Sequence, residues 1–212
     1  MQLVSVNVGT PQPIKGKSGM SGIFKQPTLA PVRITQLGLA NDAIIDVENH
    51  GGIEQAVYIF GTPDFEWWER EVGRSLTYGS TFGENLTFTE LVSADYNIGD
   101  RFQVGAVLLE VTSPRIPCVT LASRMGDPKF VKRFARAERF GLYCRVLEVG
   151  SVCVGDPVTI EHYQGETISA LEMFRLFYTQ DYDEAILRRA LKSPLHFVTR
   201  IEYEERLAEM TS

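Results

Sequence analysis

Short segments in which apolar and polar residues alternate follow one another along most of this chain, separated by tight turns. Such segments occupy residues 2–8, 32–37, 107–111, 141–147 and 158–161, with Gly-Asp pairs at 99–100 and 155–156 marking turns. A two-residue period is typical of a β-strand with one buried face. Many short strands with few helices between them predict a mainly β fold that closes into a barrel with peripheral helices.

The periodicity changes after about residue 166. Apolar residues then recur at helical spacing over residues 168–179, 183–191 and 194–210, which predicts three short helices. An earlier helix is predicted over residues 62–72, with Pro63 at its first turn and Gly73 ending it. Two more helical stretches are predicted over residues 120–124 and 127–139, the second with a basic face. The chain is therefore divided into a β-barrel domain, residues 1–164, and a three-helix module, residues 165–212.

Composition excludes several classes of protein. The net charge of −6 gives no electrostatic support for nucleic-acid binding, and 44% hydrophobic residues are enough for a substantial core. No apolar run approaches the length of a membrane-spanning helix, and the start does not resemble a signal peptide, so we expect a cytoplasmic protein that is not in a membrane. Three cysteines without a Cys-x-x-Cys spacing argue against a disulfide framework and a zinc knuckle.

The segment Ser113-Pro114-Arg115-Ile116-Pro117-Cys118 carries the chemistry of most interest. Its two prolines hold the backbone extended, so the loop presents Arg115 and Cys118 in a fixed direction. A thiol suits a soft metal, and an arginine suits a phosphate or another anion. Taken alone, however, a single cysteine in a loop is more often a small apolar residue with a structural role.

Other candidates are ambiguous when each is taken alone. His50 precedes Gly51-Gly52 and is interpreted as a turn residue, a ligand or a proton donor. Lys15, Lys17 and Lys25 lie in a glycine-rich loop that suits either phosphate binding or a mobile solvated segment. Asn85 has a side chain that can both donate and accept hydrogen bonds.

Four motifs in order along the chain resemble the MOSC domain family, and more narrowly its bacterial YiiM-like branch. They are His50-Gly51-Gly52, Phe82-Gly83-Glu84-Asn85-Leu86, Pro114-Arg115-Ile116-Pro117-Cys118 and Gly141-Leu142-Tyr143-Cys144-Arg145-Val146-Leu147. The helical tail resembles the three-alpha domain that follows the MOSC domain in that branch. The resemblance implies a β-barrel that binds the molybdenum cofactor (molybdopterin).

The resemblance also implies roles for individual residues. Cys118 would coordinate the metal, and Arg115 would help to hold the cofactor. Lys25 and Arg145 are candidate clamps for the cofactor phosphate, Asn85 and His50 would line the cavity, and Thr120 could donate a hydrogen bond to the cofactor. His50 or Tyr143 would supply protons.

The implied activity is reduction of N-hydroxylated small molecules such as N-hydroxylaminopurines. Because the sequence has no flavin or iron–sulfur motif, an electron-donor reductase would be a required partner. The alternative is a non-catalytic carrier of the cofactor or of sulfur, and a homodimer is left open. The chain departs from the family at Ile53-Glu54, where Pro-Asp is usual, at 37–42, where a Gly-Asp pair is usual, and at Ser113, where glutamine is usual.

Overall fold

The computed structural model describes residues 1–14, 19–45 and 51–211. The strands, in chain order, are β1 (Leu3–Gly9), β2 (Gln12–Pro13), β3 (Met20–Ser21), β4 (Lys25–Thr28), β5 (Val32–Thr35), β6 (Gly38–Leu39), β7 (Val57–Gly61), β8 (Leu86–Phe88), β9 (Arg101–Val104), β10 (Val107–Pro114), β11 (Leu142–Glu148), β12 (Gly150–Val152) and β13 (Val158–Glu161). Eight of them form one sheet in the order β13-β9-β10-β11-β7-β8-β1-β4, while β12-β5-β6 and β2-β3 form two smaller sheets.

The pairing of the large sheet is mixed. Most neighbours are antiparallel, but β7 and β8 run parallel, with Ile59 opposite Leu86. The order is linear, and an isolated bridge between Gln2 and Pro157 links the start of β1 to the start of β13. Closure into a barrel therefore stays a prediction, while a mixed α/β fold with a dominant sheet is observed.

The helices are α1 (Thr62–Val72), α2 (Val119–Met125), α3 (Phe130–Ala137), α4 (Ala170–Thr179), α5 (Glu184–Leu191) and α6 (Phe197–Met210). The helix predicted over residues 62–72 is confirmed, and Gly73 ends it in the left-handed conformation, at φ 70°. The three tail helices are confirmed with starts shifted by one to three residues. In the described part of the chain, no helix is both long and apolar enough to span a bilayer.

The helical tail and the sheet share one hydrophobic core. Phe174 of α4 stacks on Phe140, just before β11, with ring centroids 4.4 Å apart. On another side, Trp68 of α1 packs on Phe134 of α3 at 5.5 Å. The boundary between a barrel domain and a separate tail module is not tested by this packing and stays a prediction.

Three adjacent strands bring the site residues into one row. Tyr143 on β11 lies opposite Ser113 on β10 and opposite Tyr58 on β7. Paired residues on neighbouring strands point to the same side of a sheet, so these side chains share one face. The loop after β10, which carries Arg115 and Cys118, starts beside this row.

Candidate functional site

A cavity of about 260 Å³ lies against the row of Tyr143 and Tyr58. Its lining includes five of the predicted site residues besides Tyr143: Lys25, Asn85, Arg115, Cys118 and Thr120. We call this cavity the Cys118 pocket. Residues that are up to 118 positions apart in sequence therefore meet around one small volume.

Arg115 is the buried cation of the Cys118 pocket, with only 4% of its surface exposed. Its Nη1 donates to the Phe82 carbonyl at 3.0 Å, and its guanidinium carbon lies 5.1 Å from the centre of the Tyr58 ring. Its Nε is buried without a hydrogen-bond partner. Burial lowers the pKa of Arg115, but the neighbouring Tyr58, Tyr143 and Cys118 groups raise it by more, so the guanidinium stays charged.

A buried charge with an unsatisfied donor is costly unless an anion or an acceptor accompanies it. In the part of the chain that the structure describes, none of the salt bridges includes Arg115. The pocket therefore contains a fixed positive charge and a donor that suit an anionic ligand.

Cys118 lies directly before α2, and its carbonyl accepts hydrogen bonds from the N–H groups of Leu121 and Ala122 at 3.0 and 3.3 Å. The residue is partly exposed to the pocket. The Cys118 thiol interacts electrostatically with both Arg115 and Tyr143, so the three groups lie close together. An adjacent guanidinium favours the thiolate form of a cysteine, which is the form that binds metals.

Tyr143 is a wall of the Cys118 pocket. Its ring lies 5.1 Å from that of Tyr58, centroid to centroid. Burial is the main cause that raises the pKa of Tyr143, although Arg115 opposes the shift. The phenol therefore keeps its proton at neutral pH and is a hydrogen-bond donor in the pocket.

Lys25 reaches the pocket as half of an ion pair. Its Nζ contacts Asp42, whose carboxylate also accepts hydrogen bonds from Asn85 Nδ2 at 2.8 Å and from the N–H of Gly9 at 2.7 Å. Asn85 in turn accepts from the N–H of Tyr58 at 3.1 Å. The charge of Lys25 is therefore already balanced by Asp42, whereas that of Arg115 is not balanced by a carboxylate in contact.

Arg145 is not brought to the Cys118 pocket. It lies two residues beyond Tyr143 on β11, where its Nη2 pairs with Glu54 at 2.9 Å and donates to the carbonyls of Pro194 and Leu195. Its position joins the sheet to the segment before α6, so it gives no support to a phosphate-binding role. Of the remaining predictions, His50, Lys15 and Lys17 lie outside the described residues.

Comparison with known proteins settles the family. The family model described as "MOSC domain" matches residues 46–159. This chain belongs to the MOSC domain family. The uncharacterized protein YflK of Bacillus subtilis is 35% identical over 155 residues, which cover 72% of this chain and 70% of that protein. The crystal structure of YiiM from Geobacillus stearothermophilus superposes with a TM-score of 0.80 at 28% identity, covering 97% of this chain and 98% of that chain.

A longer relative of this chain is a protein of Gibberella moniliformis named "Reductase". It is 32% identical over 178 residues, which are 82% of this chain but only 32% of that protein. The predicted resemblance to the YiiM-like branch is confirmed by these comparisons.

Three residues of the Cys118 pocket were not predicted from the sequence as site residues: Asp42, Gln55 and Tyr58. Glu84, between the lining residues Gly83 and Asn85, was named in a motif but was given no role. Every residue of β7 is buried, so no alternation shows which face Tyr58 takes. Asp42 lies outside the predicted strands and helices, and its partners Lys25 and Asn85 are distant in sequence. Gln55 ends a helical turn of three residues, which is too short to give a periodic pattern. For Glu84, a charged residue inside an otherwise apolar and small-residue loop was the available signal.

Glu84 has a fully buried carboxyl group next to Asn85. Its Oε1 accepts hydrogen bonds from the N–H of Gly79 and from the Thr87 hydroxyl, whereas its Oε2 has no hydrogen-bond partner. Burial is the largest effect and raises the pKa of Glu84 from 4.5 to about 7, against these hydrogen bonds and Arg115, which lower it. Between pH 4.5 and about 7, the Glu84 carboxyl group is therefore protonated in the folded protein but ionised in the unfolded chain.

The contribution of Glu84 to stability should consequently fall as pH rises from 4.5 to about 7. A shift of this size corresponds to a loss on the order of 3 kcal/mol. Glu84→Gln has no proton to lose, so the difference in its free energy of unfolding between about pH 5 and about pH 8, measured in urea, should be smaller by this amount. Glu148→Gln, at an exposed position, is the matched control. Equal pH dependence of wild type and Glu84→Gln would contradict the assignment.

Proposed function

We propose that this MOSC protein is an oxidoreductase that uses a bound molybdenum cofactor to reduce N-hydroxylated compounds, with electrons from a separate reductase. Family membership supports association with the cofactor, and the similarity to a fungal protein named "Reductase" supports redox activity. N-hydroxylaminopurines are the substrate class that we would test first.

The observation that carries the proposal is the pairing of Arg115 with Cys118 in one pocket. The thiol offers a soft metal the ligand it prefers. The buried guanidinium, with its unsatisfied Nε, offers a positive charge to the anionic groups around that metal. A purely structural loop gains nothing from a buried cation with a missing partner, because such a group costs stability. The residues of the pocket therefore fit the cofactor.

Each residue would contribute a distinct effect. Cys118, as a thiolate, would hold the metal, and Arg115 would stabilise the negative charge beside it. Tyr143 keeps its proton at Oη and would donate it to the leaving oxygen of the substrate. The ion pair of Lys25 and Asp42, fixed by Asn85, would keep the opposite wall in place. When bound, the cofactor supplies the two-electron chemistry that reduces the N–OH group.

The test is turnover by protein produced in a host that makes the cofactor. With reduced viologen as donor, the molybdenum-loaded protein should convert 6-N-hydroxylaminopurine to adenine, consuming two reduced viologens per product. The same protein from a host that lacks the cofactor is the control and should give no product. Loaded protein that retains molybdenum without any turnover would contradict the enzyme and favour a carrier of the cofactor.

A further inference from the structure

A second cavity, of about 670 Å³, lies between the sheet and the helical tail. One side is formed by residues 51–55 with Ser113, Pro114 and Ile116, and the other by α4, α6 and the segments that precede α5 and α6. Its volume falls within the range of small-molecule binding sites. We call it the tail chamber.

The tail chamber and the Cys118 pocket have a common wall. Gly51, Gln55 and Tyr143 line both cavities. A molecule in the tail chamber would therefore border the residues that face Cys118, with the Tyr143 side chain at the boundary. Among the described residues, these three alone separate the two cavities where they adjoin.

Three polar atoms at the tail chamber are buried without a hydrogen-bond partner: Oε2 of Glu54, Oε1 of Gln55 and Oγ of Ser113. Of these, only Glu54 Oε2 is ion-paired, with Arg145. Ser113 has only 7% of its surface exposed. A buried polar group left unsatisfied costs about 1–3 kcal/mol. The Gln55 oxygen can only accept, so it favours a ligand with an N–H donor, and the Ser113 hydroxyl can accept a second one. Ser113 lies opposite Tyr143 on the neighbouring strand, which puts its hydroxyl next to the common wall.

The opposite side of the tail chamber is aromatic. Phe177, Tyr182, Phe197 and Tyr203 line it, and Tyr182 meets Tyr203 edge to face at 5.6 Å. Phe177 and Phe197 remain about half exposed, at 50% and 56%. Aromatic faces that are not fully covered by protein favour a planar ring, with which they can stack.

The charge of the lining restricts the ligand further. Among the lining residues in the described part of the chain there is no lysine or arginine, while Glu54 and Glu202 contribute carboxylates. Glu54 is paired with Arg145, which lies behind it. Glu202 is likewise paired with Arg206, at 2.8 Å. A phosphate group would therefore meet no lysine or arginine of the lining, so a free base or nucleoside fits better than a nucleotide.

We infer that the tail chamber binds the substrate of the proposed reaction, as a planar, uncharged heteroaromatic ring with N–H donors on one edge. The inference rests on the proposed function for the chemistry of that substrate and assigns a role to the helical tail. Ser113 and Gln55 recognise the N–H edge, and the aromatic side chains of α4 and α6 hold the ring.

Calorimetric titration of the purified full-length protein with 6-N-hydroxylaminopurine tests this site. Ser113→Ala should weaken binding about tenfold, because one hydrogen bond is lost. The melting temperature should not fall, because the substitution also removes an unsatisfied buried hydroxyl. Ser151→Ala, at an exposed serine of β12, is the matched control and should bind as wild type does.

Two further probes sharpen the titration. Unsubstituted purine lacks the exocyclic N–H, so we expect it to bind more weakly and to respond less to Ser113→Ala. Adenosine 5′-monophosphate should bind at least about tenfold more weakly than adenosine, because the lining offers its phosphate group no lysine or arginine. Phe177→Ala should weaken all ring-containing probes, whereas Leu29→Ala, at a highly exposed leucine remote in sequence, should not.

The inference is overturned if 6-N-hydroxylaminopurine does not bind, or if it binds equally well to wild type and Ser113→Ala. This outcome is distinguishable from failure of the proposed function, because the titration needs neither metal nor turnover. Binding at the tail chamber by a protein that never takes up molybdenum would contradict the proposed function alone. Turnover without the predicted effect of Ser113→Ala would contradict the tail chamber alone.

Discussion

Replacing Cys118 by serine should lower the molybdenum content of protein from a cofactor-producing host by at least about tenfold. A hydroxyl is a poor ligand for a soft metal at neutral pH, whereas a thiolate beside Arg115 is a good one. The protein should still fold, since Cys118 contributes to α2 through its backbone carbonyl, which serine retains. The measurements are molybdenum by mass spectrometry of metals, pterin by fluorescence after oxidation, and the melting temperature.

Cys153→Ser is the matched control for Cys118→Ser. Cys153 is also a partly exposed thiol, but it does not line the Cys118 pocket, and its Sγ contacts the Leu29 carbonyl at 3.7 Å. Its substitution should leave the molybdenum content unchanged. Cys144 is unsuitable as a control because it is fully buried, so a serine there would lose core packing. Equal molybdenum in wild type and Cys118→Ser would remove Cys118 as the ligand.

The fold was predictable where local signals are strong. Pro63 and Gly73 bracket α1, and Asp183 caps α5 by accepting from the N–H of Ile186, so the helix ends follow from single residues. Strands such as β1, β5 and β11 followed from the two-residue period, whereas β7, in which every residue is buried, did not. The order of the strands did not follow either, because the period shows which face is buried but not which strand is the neighbour, and the parallel pair of β7 and β8 left no local sign.

The site was predictable in part because its linear motifs carry chemistry. Arg115 and Cys118 are held by one stiff segment, so their proximity follows from sequence alone. The partnership of Lys25 with Asp42 could not be found in this way, because it joins two loops through a contact that only the folded chain makes. Proximity in sequence was a poor guide for Arg145, which lies two residues from Tyr143 but contacts Glu54 and the segment before α6 instead of lining the Cys118 pocket.

Replacing Arg115 by methionine should separate a ligand-binding role from a structural one. Methionine fills much of the same volume without a charge. Loss of the hydrogen bond to Phe82 costs about 1–3 kcal/mol, while removal of a buried charge that forms no salt bridge recovers its desolvation cost, a similar amount. The stability of the cofactor-free protein should therefore change little. Cofactor retention should fall about tenfold or more, because the pocket loses its one unbalanced buried cation among the described residues.

Arg145→Met gives the contrasting result and serves as the control for Arg115→Met. It breaks the ion pair with Glu54 and two hydrogen bonds to the segment before α6, so the melting temperature should fall. The molybdenum content per folded molecule should stay as in wild type, because Arg145 does not line the Cys118 pocket. If Arg115→Met instead unfolds the protein and keeps full molybdenum content in the folded fraction, its guanidinium is a structural group. If Arg115→Met loses molybdenum but keeps its stability, the role of the buried guanidinium is to bind an anionic ligand.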